Sequence, residues 1–122
     1  MKHIIILVFG IVTSGVGVLS AVAETRPIMP LFYGHNLRRF CDADKKSAEY
    51  SMCFSFVGAV LEIATYNSIF GIKICVPRLT TVGKAVELTA KWLHEHPDDD
   101  IKAASLVTVE ALADAFPCKA SN

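Results

Sequence analysis

The chain has 122 residues, with 12 Lys and Arg against 12 Asp and Glu and a formal net charge of zero. That length suits one domain, and a balanced surface without a basic cluster argues against nucleic acid as a partner.

The first residues read as an export signal. Lys2 and His3 precede an uncharged run from Ile4 to Ala23, and Ala21-Val22-Ala23 has the small-x-small form cut by signal peptidase. A membrane anchor is the alternative, because about 20 apolar residues span a bilayer. Gly10, Thr13, Ser14, Gly15 and Gly17 dilute the run and favour cleavage. Removing residues 1–23 from 122 leaves 99, starting at Glu24, expected as one domain over 24–122. A domain of that size gains from cross-links or a partner. All four cysteines, Cys41, Cys53, Cys75 and Cys118, lie within it. An even set in an exported domain reads as disulfides, with three pairings open. Cys41–Cys53 with Cys75–Cys118 is favoured because each pair closes a local helical unit.

In chain order, Glu24 to Pro30 is an extended lead-in. Leu31 to Phe40 has the pattern of a short amphipathic helix, with Leu37 and Phe40 inward and Arg38 and Arg39 outward. Asp42 to Ser47 is a polar turn. Ala48 to Tyr66 is apolar on nearly every side, which predicts a central helix with neighbours around most of it. Gly58-Ala59 offers a close-approach patch, and Asn67 to Ile74 is a loop turning at Gly71. Thr80 or Thr81 caps the next helix, whose stripe is Val82, Ala85, Val86, Leu88, Trp92 and Leu93. Pro97 ends it, and Asp98 is placed to cap a last helix carrying Ile101, Ala104, Val107, Leu112, Ala115 and Phe116. The expected fold is all-α, a compact four-helix domain with two disulfides.

No nucleotide loop, nucleophile elbow or zincin motif occurs in the sequence. His94 and His96 diverge on a helix and suit its last carbonyls better than a shared metal. Glu62 has no second carboxylate one turn away and reads as a helix-face residue. No catalytic residue, metal site or cofactor is expected, and the chain does not read as an enzyme. Asp99 and Asp100 exceed what capping requires and form, with Asp98, an acidic knuckle expected to be exposed.

Three linked segments carry a resemblance: Cys75-Val-Pro77, Trp92-Leu-His-Glu-His-Pro97 and Ala113-Asp-Ala-Phe-Pro-Cys118. Together they resemble the Rap/Tai family of type VI secretion immunity proteins, over about Leu37 to Lys119. The central helix departs from the family pattern, since Ser55, Phe56 and Val57 replace Gly, Tyr and Ile and Ala59 replaces a second glycine. Lys84 stands where Gln would complete a capping box with Thr81. The resemblance implies a periplasmic, disulfide-bonded homodimer that binds a cell-wall amidase effector and blocks its groove, protecting the producing cell. It implies no cofactor, nucleic acid or membrane partner after signal cleavage. Loops between helices supply part of the family's contacts, which points to His96, Asp98, Asp99 and Asp100 as partner-binding residues. The competing expectation is a small periplasmic helical protein of another role, such as an acid-stress chaperone, which would hold clients soluble at low pH.

Overall fold

The computed structural model describes residues 31–119. The expected signal peptide 1–23, the lead-in 24–30 and the tail 120–122 lie outside the described residues. Four α-helices follow one another: α1 (Gly34–Cys41), α2 (Ala48–Tyr66), α3 (Val82–Glu95) and α4 (Ala104–Ala115), with a 3-10 helix at Pro97–Ile101. The described residues contain no strand, only the isolated bridges Tyr33–Ala103 and Ile69–Ile72. The fold is all-α, as the periodicity predicts.

Local chemistry sets the helix starts. Ser47 Oγ accepts from Tyr50 N at 3.1 Å to open α2, and Thr81 Oγ1 accepts from Lys84 N at 3.2 Å to open α3. Thr80 instead donates its hydroxyl to Pro77 O at 2.7 Å, so Thr81 is the cap. The first helix begins three residues later than its pattern predicts. Phe32 stays outside it, with its ring edge-on to Phe40 and Phe56 at 5.5 and 5.9 Å between centroids.

Leu37, Val57, Leu93, Val107 and Leu112 are fully buried, so all four helices contribute to one core. Helix α2 turns Cys53, Val57, Val60, Leu61 and Ala64 inward. It has fewer neighbours than its composition predicts, because Met52, Ile63 and Tyr66 remain exposed on the opposite side. The close-approach patch is used: a Cβ on Gly58 would lie 3.2 Å from Val82 Cγ1, where α3 starts. No helix among the described residues is long and apolar enough to cross a membrane.

The disulfides are Cys41–Cys53, joining α1 to α2, and Cys75–Cys118, tying the segment before α3 to the chain after α4. Loop separations of 12 and 43 residues correspond by chain entropy to about 3 and 4 kcal/mol. Between α2 and α3, Ile69 and Ile72 exchange backbone hydrogen bonds of 3.0 and 2.9 Å around Phe70 (φ 53°) and Gly71 (φ 75°). Two successive positive φ angles make this a tight turn of the kind that favours Asn or Gly at the position Phe70 holds.

The last helix departs most from expectation. Asp98 does not cap it: α4 starts at Ala104 after Ala103, which makes no side-chain cap bond. The 3-10 helix closes with Lys102 N donating to Asp99 O at 3.0 Å, and Lys102 is extended (ψ 158°). Helical register is therefore broken between Ile101 and Ala104. Ile101, expected in the core, is 82% exposed, while Ala104 is buried. Ala104 N finds its acceptor in Phe32 O at 2.9 Å, which replaces a side-chain cap.

Candidate functional site

The segment His96–Asp100, singled out by its charge, forms together with Ile101 a knuckle anchored from three sides. From α3, the Trp92 indole donates to Asp99 Oδ2 at 2.8 Å, and the His96 ring lies over the indole at 3.8 Å between centroids. His96 Nδ1 is 2.9 Å from Trp92 O and must carry the proton, since a carbonyl can only accept. Toward α4, Lys102, the residue closing the 3-10 helix, bridges Asp99 Oδ1 at 2.8 Å and Glu110 Oε2 of α4 at 2.9 Å through its Nζ. From α1, Arg38 Nη2 approaches Asp100 Oδ1 at 2.7 Å, and His35 Nδ1 donates to Asp100 O at 3.2 Å. The Arg38–Asp100 contact is an ion pair without hydrogen-bond alignment, since both atoms are buried and lack an aligned partner.

The backbone adds a second layer. Gly34 N donates to Lys102 O at 2.9 Å beside the Tyr33–Ala103 bridge. A Cβ on Gly34 would collide with Asp99 O.

The acidic run thus has two orientations. Asp98 is exposed, as expected. Asp99 is only 6% exposed and points inward, and Asp100 is half-buried against Arg38, so neither is the freely exposed carboxylate that its charge predicts. Arg38, expected outward, is half-buried for the same reason. Burial pushes the Asp99 carboxyl up, but hydrogen bonds from Lys102 and Trp92 outweigh it and hold the group below the usual carboxylate range. Hydrogen bonds to Asp99 and Glu110 raise Lys102 above the usual lysine value. His94 does not join this cluster; its Nε2 meets Asp42 Oδ1 at 2.9 Å and ties the end of α3 to the turn after α1.

Sequence reasoning missed Gly34, His35, Lys102 and Glu110. Gly34 and His35 meet partners more than sixty residues away, and the Lys102–Glu110 pair spans a break in helical register that no local pattern marks. A cavity of about 130 Å³ lies at the C-terminal end of α2, lined by residues 64–68 with Lys73 and Ile74. Its lining has no carboxylate, imidazole or thiol. Among the described residues, no group of three His, Cys, Asp or Glu side chains is placed to hold a metal ion.

Fold and site together define a small helical protein, cross-linked by disulfides, whose acidic segment is folded into a rigid surface knuckle. The model of the Rap1a immunity proteins matches residues 33–118, and the chain belongs to that family. No curated protein and no solved structure matches the chain. Membership implies a role in immunity and an effector as binding partner.

Proposed function

We propose that this chain is a periplasmic immunity protein that binds a peptidoglycan amidase effector of a type VI secretion system and covers its active-site groove. The knuckle is the observation that carries this reading. A loop held by three helices loses little freedom on entering a cleft, so binding is not weakened by an ordering cost. Occlusion asks for no chemistry from the inhibitor, which suits a surface built for shape. The segment His96 to Asp100 is proposed to meet the partner, with Asp98 outermost and Asp99 and Asp100 holding its shape from within.

Export by residues 1–23 and maturation to 24–122 complete the proposal. Two disulfides and no free cysteine fit an oxidising compartment. A second copy of the chain is the proposed cover for the open side of α2, giving a homodimer. Family membership favours immunity over an acid-stress chaperone. The test is co-purification with a type VI amidase effector of the producing cell, followed by growth of cells exporting that amidase. Survival only when both are exported supports the proposal; death despite this chain in the periplasm refutes it.

A further inference from the structure

The knuckle's most acidic residues face the wrong way to be its contact surface. Asp99 is spent on Trp92 and Lys102, and Asp100 on Arg38. The side chains left outward are Pro97, Asp98 and, at 82% exposure, Ile101, which is the one large open-chain apolar group of the three. A lone exposed isoleucine is ordinary on a protein surface. This one differs in its mounting: the residue before it is ion-paired to α1, and the residue after it is clamped between Asp99 and Glu110. A branched side chain held out on a fixed backbone is pre-organised for a pocket.

Position along the helix axis is set at Gly34. Its backbone N–H holds Lys102 O, and any Cβ would collide with Asp99 O. The obstruction is backbone, so no rotamer change relieves it. A side chain at residue 34 must push the whole turn away from α1.

We propose that Ile101, flanked by Asp98, is the group this chain inserts into its partner, and that Gly34 is the positioning residue that seats it. The inference rests on the occlusion reading and names its contact. The matching partner surface is a protein cleft with an apolar pocket and a cationic group at its rim. Asp99 and Asp100 act through the turn they hold.

The test uses the full exported chain, a purified type VI amidase effector of the producing cell, and Trp92, the only tryptophan, as an internal reporter of the knuckle. Ile101→Asp should weaken amidase binding by about tenfold or more, with helical content and the indole N–H resonance unchanged. Gly34→Ala should weaken binding and also move that resonance, because the Asp99 acceptor shifts. Ile101→Asp carries the test if Gly34→Ala does not fold. Wild-type affinity in Ile101→Asp overturns the contact, as does a change confined to the chain's own oligomeric state. An unmoved resonance in folded Gly34→Ala overturns the seat. If the unaltered chain does not bind the amidase, occlusion itself fails and Ile101's role with it, while the resonance still decides Gly34.

Discussion

Asp99 shows how one carboxylate can be structural inside a segment that looks like a charged surface. Its two oxygens take the Trp92 indole and the Lys102 ammonium, and both bonds favour the ionised form over the protonated one. The sign of the pH dependence follows. A carboxyl held below its unfolded value contributes stability that is present above about pH 3.9, the ordinary aspartate value. That stability is lost as pH falls through the lowered folded value. Lys102 works in the other direction: its raised value contributes below about pH 10.4 and is lost as pH rises through the folded value. Trp92 fluorescence should therefore report an acid transition below the ordinary aspartate range, and Asp99→Asn should remove it. An unchanged transition in Asp99→Asn would place the responsible group elsewhere. Replacing Asp99 by Ala leaves the half-buried indole donor and Lys102 without their acceptor, an expected loss of about 1 kcal/mol in denaturant unfolding.

Among the elements, α2 was the most legible in the sequence and the stretch after α3 the least. Helix α2 runs from Ala48 to Tyr66 as read, because the polar turn before it and the loop after it are local signals, while the Ser47 cap is seen only in the structure. Thr81 opens α3, again by a local signal. The favoured cysteine pairing was legible too, since each bond closes a unit already visible as helix and turn. The 3-10 helix was not. Asp98 and Pro97 carry the signals of a helix start, but the register is settled by Gly34, Arg38 and Phe32, more than sixty residues earlier. For the site, its location was readable from charge, while the inward turn of Asp99 was not, because it depends on tertiary partners. The turn at Ile69–Ile72 offers a test of local strain. Phe70 sits at φ 53° with 62% of its surface exposed, so little packing repays the left-handed backbone. Phe70→Asn should stabilise the fold by about 1 kcal/mol, read as a higher midpoint in urea. A lower midpoint would show that Phe70 packs in a way its exposure conceals.

As a whole, the described residues form a cross-linked helical frame that carries the knuckle and the open side of α2. Ile63 and Tyr66, 53% and 80% exposed, lie on that side and are the proposed self-contact. Ile63→Glu should shift sedimentation from dimer to monomer while the knuckle and its Trp92 signal stay intact. A wild-type chain that sediments as a monomer would rule out the dimer. If occlusion is the mechanism, the frame's purpose is to hold the knuckle rigid at another protein's cleft. That claim is met most directly by titrating this chain into the proposed amidase partner while following cleavage of a soluble cell-wall peptide. Cleavage should fall to zero at stoichiometric equivalence, with the block weakened in Ile101→Asp. A stable complex in which the amidase still cleaves at full rate would contradict it.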